Sequence, residues 1–469
     1  MHTSTTSTTP LDPWSSQHLQ HASQGQWYQQ YAPQQAIQRI VTDSRQAQAG
    51  DAFLALKGER FDAHDFVANV AAQGASCVIV ERAIDGINIP QLIVDDTRLA
   101  LGRLGAYRRQ ECQQLQVVAL TGSSGKTTTK EMLGSIFAQL GETLITRGNL
   151  NNDLGVPMML LELRQDYRYA VFELGANHQG EIDYTANLVQ PDVAGVINIG
   201  TAHLGEFGGR EGICRAKSEI YTHLTADDTA IIPHADEFAA TLAQAAQASS
   251  AKCLSFGQGG DVYAENIELF AQSSRFDLHT PQGVVAIELP FAGEHNVHNA
   301  EAAASFALAL GLSLEQIQTG LAHAKGAKGR LNFIQKNHYT LIDDTYNANP
   351  TSMRAAADVL CQQDGVKIMV IGDIGELGDE AEAEHFALGR DLVQKPLDYL
   401  ISVGEFAHIT QQGANVAHSF AFSDQATALA HLQQIIQPLQ QKQQRICFLF
   451  KGSRYTHMEH MLEQLLETL

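Results

Sequence analysis

The residues with the clearest chemical potential sit behind a short apolar run. Val117-Val118-Ala119-Leu120 leads into Thr121-Gly122-Ser123-Ser124-Gly125-Lys126-Thr127-Thr128, and a helix-like pattern follows over 131–140. That order predicts a strand, a turn of small residues and a helix. Gly122 and Gly125 permit backbone angles that a Cβ opposes. The loop amides and the helix N-terminus can therefore surround phosphate oxygens. Lys126 would reach the β- and γ-phosphates, and the Thr127 hydroxyl is placed for Mg2+. The widespread pattern G-x-x-x-x-G-K-[ST] wants glycine at 120, where this chain has leucine. The loop is a shorter T-G-x-x-G-K-T variant.

Other polar residues fall where apolar runs end. Glu173 closes the run over 169–172, and His203 follows the run over 193–199. In an open parallel sheet, ligands collect beyond the carboxyl ends of the strands. Thr127, Glu173 and His203 together supply a hydroxyl, a carboxylate and an imidazole. Oxygen ligands suit Mg2+, and a histidine fits a second Mg2+ better than a lone one. The plainer alternatives are a solvated strand-end carboxylate and a loop histidine. Lys217 lies in a helical pattern over 211–224, between Arg215 and Glu219, and by pattern alone belongs to a solvated face. Asn296 stands at the start of an alanine-rich helix over 298–310, so a helix-capping role competes with ligand binding. Asp344, Asn347 and Asn349 follow another strand end, and Asn349-Pro350 also reads as a turn and helix start. With these clusters in two different domains, the pattern suggests a nucleotide gripped across an interface.

The elements that must position these residues fill a long chain. Its 469 residues exceed one ordinary core and point to about three domains. A net charge of −21 disfavours nucleic acid or an anionic membrane as a general partner. No stretch reaches 18 apolar residues, and the first residues lack a basic segment followed by an apolar one. The expectation is a cytoplasmic protein without stable membrane insertion, taken as a monomer. Six cysteines without a C-x-x-C pair read as free thiols in or near cores. The predicted organisation is a disordered tail over 1–20, a small α/β domain over 21–112, a central domain over 113–328 and a third over 329–469. In the first domain 66–73 reads as a helix with Phe66 and Val70 on one face. Strands and helices alternate through the central domain, which predicts a mostly parallel sheet covered on both faces. Short strands without helices over 261–292 predict an antiparallel insertion, and 324–330 reads as a linker. The third domain resembles a dinucleotide-type α/β fold without a nucleotide fingerprint at its first turn.

Taken together, the blocks DSR at 43–45, GDAFLALKGERFDAHDF at 50–66, TGSSGKTTTKE at 121–131, NLNNDLGVP at 149–157 and ELGANHQGEI at 173–182 resemble the ATP-dependent Mur ligases of bacterial cell-wall synthesis. So do NIGTAHLGEFG at 198–208, RAKSEI at 215–220, GEHNVHNA at 293–300, DDTYNANPTSM at 343–353, GDIGELG at 372–378 and KGSR at 451–454. The likeness spans about 38–465. It implies an α/β fold of three domains: a small N-terminal domain for a UDP-muramoyl-peptide, a central parallel-sheet ATPase-like domain and a C-terminal Rossmann-like domain. The DDTYNANP and GDIGELG blocks point to the branch that joins D-alanyl-D-alanine to UDP-N-acetylmuramoyl-tripeptide. The implied reaction is amide formation through an acyl phosphate, with ATP as the phosphoryl donor and two Mg2+ ions. By resemblance Lys126 contacts the phosphates, with Gly122, Ser123, Ser124, Gly125, Thr127 and Thr128 around them. Thr127 and Glu173 hold one Mg2+ and His203 a second. Lys217 matches the lysine that the family carries as a carbamate, an anion able to hold magnesium. Asn296 resembles an adenine contact. Arg330 and Asp344 resemble residues that meet phosphates and ribose, and Tyr346 and Asn347 flank the base. Ser44 and Arg45 resemble a uridine-nucleotide site, and Thr146, Asn149, Asn151 and Asn152 the muramoyl–diphosphate region. The dipeptide is expected near Asn349 and Glu376. The rivals are another amide ligase of the superfamily, disfavoured where Asn347-Ala348-Asn349-Pro350-Thr351 stands in place of a D-N-P-R block, and an ATP-dependent switch that binds without turnover.

Overall fold

Four consecutive apolar side chains need cover on both faces of a sheet, and the chain supplies it. Val117, Val118, Ala119 and Leu120 are all fully buried in the strand Gln116–Thr121. The computed structural model describes residues 12–58, 61–201 and 204–469. The chain forms two compact units. The first comprises residues up to Val117 with Gly141–Leu174 and Glu181–Pro191; the second comprises Val118–Leu140, Gly175–Gly180 and Asp192–Leu469. Among the described residues no helix is long and apolar enough to cross a membrane.

The first unit holds a five-stranded sheet ordered Gln26–Trp27, Gln91–Ile93, Cys77–Val80, Ala52–Leu54, Ile40–Val41. Its first pair is antiparallel and the rest are parallel. Asp96 caps the helix Thr97–Glu111 by accepting from the Arg98 and Leu99 amides at 2.7 and 3.0 Å. A second pair of parallel strands, Thr143–Ile145 and Tyr169–Glu173, carries the polar loop that leads to the helix Gly155–Leu160.

Two sequence expectations change here. The disordered tail expected over 1–20 is interrupted by structure: Trp14 is buried, the Arg108 guanidinium lies 4.2 Å from its ring centroid, and Ser16–Ser23 is a helix capped by Ser15. The glutamine-rich composition concealed one large apolar anchor; the part at 1–11 lies outside the described residues. The helix expected over 66–73 is present as Val67–Ala72, but a 3-10 turn, Ala63–Phe66, precedes it, and the shared face expected for Phe66 and Val70 is lost. The change of pitch rotates the chain, so Val70 is buried while Phe66 is 43% exposed.

In the second unit four strands run parallel in the order Lys252–Phe256, Thr229–Pro233, Val193–Val196 and the chain from Val118 to Thr121. Helices Lys126–Ala138 and Glu294–Ala309 pack against each other. The latter is rich in alanine and has eleven buried residues. The antiparallel insertion is present as a three-stranded sheet, Tyr263–Leu269, Ser274–Thr280 and Gly283–Leu289. Beyond residue 330 comes a six-stranded sheet ordered Asn332–Lys336, Tyr339–Asp344, Ile446–Lys451, Val366–Gly372, Tyr399–Val403, Ser419–Phe422. Its first pair is antiparallel and the other pairs are parallel. The last strand of the chain thus lies between two earlier ones, in register Asp344↔Lys451. Separate apolar clusters cover the sheet, one containing Met353, Leu360 and Leu388, the other Leu432, Met461 and Leu465.

Candidate functional site

The phosphate-loop sequence folds as its glycines require. Gly125 takes φ +78° at the N-terminus of the helix Lys126–Ala138, where no side chain caps the helix. A Cβ on Gly125 would lie 2.2 Å from Asn299 Oδ1, so this position needs glycine for both angle and space. An N-terminus closed only by glycine leaves the positive end of the helix facing the cavity. The helix begins at Lys126, five residues earlier than the expected 131, because threonines that look like loop continue into its first turn.

The Ser123 and Ser124 amides donate to Asn198 Oδ1 at 3.1 and 3.0 Å, and Asn198 Nδ2 returns a bond to Ser124 O at 3.1 Å. Asn198 thus holds the loop at both serines, and Ser123 and Ser124 line the cavity together with Gly125. Ser123 Oγ accepts from Gly200 N at 2.8 Å, and Lys126 Nζ donates to Gly122 O at 2.7 Å.

A cavity of about 670 Å³ opens over this loop. Its wall includes Ser123 to Thr128, Asn296 and Asn299, and, further along the chain, Arg330, Asp344, Asn347, Asn349 and Glu376. The described cavity wall carries Lys126, Arg210, Arg330 and Lys451. Three carboxylates, Asp236, Asp344 and Glu376, share that wall, so four cations against three anions leave it slightly positive where the whole chain carries −21. The Arg330 guanidinium lies 4.4 Å from the Tyr346 ring centroid, a cation–π stack that holds both side chains beside the cavity. Asp344 accepts from Leu331 N at 3.2 Å and pairs with Lys451 Nζ at 2.6 Å, and Lys451 also donates to Asn347 O at 2.9 Å. Asn349 does two jobs. It caps the helix Pro350–Cys361, as Asn-Pro predicts, and its Nδ2 donates to Ser123 O of the phosphate loop at 3.3 Å. Glu376 has a left-handed backbone, φ +65°, next to Gly375, whose amide donates to Ser453 Oγ at 2.8 Å.

Asn296 is buried in the first turn, and Gly293, with φ +89°, occupies the capping position that competed for it. Its amide donates to Ala292 O at 2.8 Å and accepts from Asn299 Nδ2 at 3.0 Å. The His295 imidazole beside it is pushed down to about 4 by burial and by the nearby Lys451 and His298 charges, with Asp358 opposing. It is therefore neutral near pH 7.

Lys217 departs from the reading by pattern. Its helix is shorter than 211–224, running over Arg210–Ser218 before a 3-10 turn, and Lys217 is buried rather than on a solvated face. Its neighbours Ile213, Cys214 and Ala216 are buried as well. His203 lies outside the described residues.

The remaining expected residues belong to the first unit. Glu173 is buried, not solvated: Asn151 Nδ2 donates to its Oε1 at 2.9 Å, and its own amide donates to Thr146 Oγ1 at 3.0 Å. Asn152 Oδ1 accepts from Gly155 N at 2.8 Å, and Asn149 is exposed. Ser44 is half-buried, and Arg45 grips Asp43 through Nε and Nη2 at 2.9 and 2.6 Å. The Arg45 guanidinium and amide hold the Asp43 carboxyl down to about 2.

Fold and cavity thus define a phosphate-loop α/β protein whose loop is met by the strand ends of a second sheet. Comparison with known proteins takes this further. The model described as "Mur ligase family, catalytic domain" matches residues 36–109, "Mur ligase middle domain" matches 120–307, and "Mur ligase, glutamate ligase domain" matches 329–454. The chain belongs to the Mur ligase family. It is 44% identical to UDP-N-acetylmuramoyl-tripeptide–D-alanyl-D-alanine ligase of Escherichia coli (strain K12), covering 92% of this chain and 94% of that one. A crystal structure of MurF from Acinetobacter baumannii superposes with a TM-score of 0.95 at 64% identity, over 98% of this chain and all of that one. MurF ligase of Thermotoga maritima in complex with ADP gives a TM-score of 0.81 at 28% identity, over 92% of this chain and 97% of that one.

Asn198, Asn299, Arg210 and Lys451 are site residues to which the sequence reading gave no role. Asn198 and Lys451 carried a signal, since both end a buried apolar run. Asn299 and Arg210 carried none, since contact with the loop or cavity is set by tertiary packing.

Proposed function

We propose that this chain joins D-alanyl-D-alanine to UDP-N-acetylmuramoyl-tripeptide with hydrolysis of ATP, giving the pentapeptide, ADP and phosphate in peptidoglycan precursor synthesis. The supporting observation is the meeting of two sequence blocks in one cavity. The loop with Lys126 marks the family, and Asp344, Asn347 and Asn349 belong to the block that marks this branch. The 44% identity over most of the chain points the same way. On this reading residues 21–112 serve the UDP-muramoyl-peptide, 113–328 the ATP and 329–469 the incoming amine.

The chemistry asks for charge control. The tripeptide's terminal carboxylate attacks the γ-phosphorus, the bond to the bridging oxygen breaks, and ADP leaves. Two anions must approach, so Lys126 and the uncapped helix N-terminus are assigned to charge on the transferred group. The dipeptide amine then attacks the acyl carbon, the bond to the phosphate oxygen breaks, and the amine gives up its protons. The amine is assigned to the stretch of wall between Asn349 and Glu376, with Arg330 and Asp344 on the nucleotide side, Tyr346 and Asn347 beside its base, and Asn296 at the adenine. Ser44, Arg45, Thr146, Asn149, Asn151 and Asn152 are assigned to the nucleotide-linked substrate.

Thr127, Glu173, His203 and a carbamylated Lys217 are the proposed Mg2+ ligands. The donor chemistry fits: a hydroxyl, a buried carboxylate and, after addition of CO2 to the buried Lys217 amine, a second anion. Mg2+ would supply charge neutralisation on the phosphates. The test is phosphate release with UDP-muramoyl-tripeptide, with D-Ala-D-Ala, other dipeptides or single amino acids supplied in turn. Release dependent on D-Ala-D-Ala is expected, and turnover only with single amino acids would overthrow the specificity. Lys217→Ala is expected to lose activity and recover part of it in buffers containing short carboxylates; full activity without them would reject the carbamate.

A further inference from the structure

A cluster in the C-terminal part of the chain lies outside the machinery described above. The turn after the strand Ile446–Lys451 ends at His457, whose backbone is left-handed at φ +49° where the helix Met458–Thr468 begins. That conformation is uncommon outside glycine, and histidine enters it more readily than most residues. It brings the His457 ring over the first helical turn, parallel to His460 within 9° and 5.4 Å away between centroids. Glu459 lies with them, its Oε1 3.4 Å from His457 Nδ1. One ligand atom from each of the three falls within 4.8 Å of the other two. Glu459 Oε2 is buried and accepts no hydrogen bond among the described residues.

We infer that His457, Glu459 and His460 form a binding site for a divalent transition metal of the zinc class. Two imidazoles and a carboxylate are the donor set of a three-ligand zinc site with an open fourth position, and they select against Mg2+, which takes oxygen. Ligand atoms around a tetrahedral ion with bonds of about 2.0–2.1 Å lie roughly 3.4 Å apart. Rotation of the two exposed imidazoles closes the remaining distance. Two features oppose the ion. The Arg454 guanidinium already sits 2.6 Å from Glu459 Oε1, and the helix start presents positive partial charge. Affinity is therefore limited by Arg454, which gives the site its own signature. A bound ion would also fasten the turn that carries Ser453, the acceptor of the Gly375 amide at the cavity wall.

The experiment is calorimetric titration of the metal-stripped full chain with Zn2+ alone, repeated in millimolar Mg2+. One saturable equivalent is expected that Mg2+ does not displace and that His457→Gln and His460→Gln each remove. Arg454→Ala is expected to tighten it about thirtyfold, the Coulomb gain from removing one unit charge roughly 4 Å from a divalent ion in a watery setting. Unchanged stoichiometry in both histidine variants would overturn the site, because the other histidines and thiols would then account for the binding. Unchanged or weaker binding in Arg454→Ala would overturn the role of Glu459. Far-UV circular dichroism on each variant separates loss of binding from loss of fold.

Discussion

Lys451 offers the sharpest test of how the cavity wall is held. Its ammonium lies 2.6 Å from Asp344 Oδ2, and the two side chains are only 4% and 11% exposed. The pair follows from topology: the last strand of the chain inserts beside Tyr339–Asp344 in register Asp344↔Lys451, so both charges arrive at the same sheet edge. Lys451→Met keeps most of the length and removes the charge. Asp344 then keeps the Leu331 amide at 3.2 Å, and Asn347 O loses its donor. Removing one partner of a buried pair costs about 3–5 kcal/mol, because the other charge stays without compensation. Asp344→Asn leaves the ammonium stranded instead and is expected to cost a similar amount. The double variant has no charge left to strand and is expected to cost less than either single one.

Native-state hydrogen exchange suits this test because it reads opening of one sheet without requiring the whole chain to unfold in a single step. Peptides covering 339–344 and 446–451 are expected to lose about two to three powers of ten in protection in each single variant, at 1.4 kcal/mol per tenfold. Protection should be largely restored in the double variant. Single variants within about threefold of the parent would refute the view that this pair is buried and paired, and additive losses would refute the coupling.

Three further outcomes are expected. Gly125→Ala places a side chain at φ +78° and 2.2 Å from Asn299 Oδ1, at about 1–2 kcal/mol for the angle alone; calorimetry should find ADP binding at least tenfold weaker, and unchanged affinity would contradict the geometry. His295 titrates near 4 in the folded chain against 6.5 ordinarily. The folded form thus binds fewer protons between those values, so its stability is complete above pH 6.5 and falls by up to about 3 kcal/mol as pH drops to 4. Exchange in the helix Glu294–Ala309 should follow that slope and lose it in His295→Gln. Asn349→Ala removes a helix cap worth about 1 kcal/mol and the bond to Ser123 O. Both a lower melting temperature and weaker ADP binding are expected, and a loss of stability alone would reduce Asn349 to a cap.

The parts of this molecule legible in its sequence are those whose cause is local. Four apolar residues, two glycines and a lysine specify a strand, a turn and a helix within ten positions, and the structure builds them there. The antiparallel insertion was legible for the same reason, since alternation over seven-residue stretches needs no distant partner to be recognised. Periodicity failed where a backbone changed pitch, as at Phe66, and where charge was taken as a guide to exposure, as at Lys217. A lysine between an arginine and a glutamate reads as solvated, yet burial is decided by what the helix packs against, and that lies elsewhere in the chain.

Lys451 shows the deeper limit. Nothing in Ile446–Lys451 says which strand will lie beside it, and the register that sets its ammonium against Asp344 joins residues more than a hundred positions apart. The same insertion carries the loop with Ser453, which fixes the Gly375 amide beside Glu376, and Lys451 holds the carbonyl of Asn347. A strand recognised in the sequence only as a strand therefore anchors two pieces of the cavity wall. Its significance rests on topology: the sequence shows a lysine at the end of an apolar run, and only the register shows which carboxylate and which carbonyl it meets.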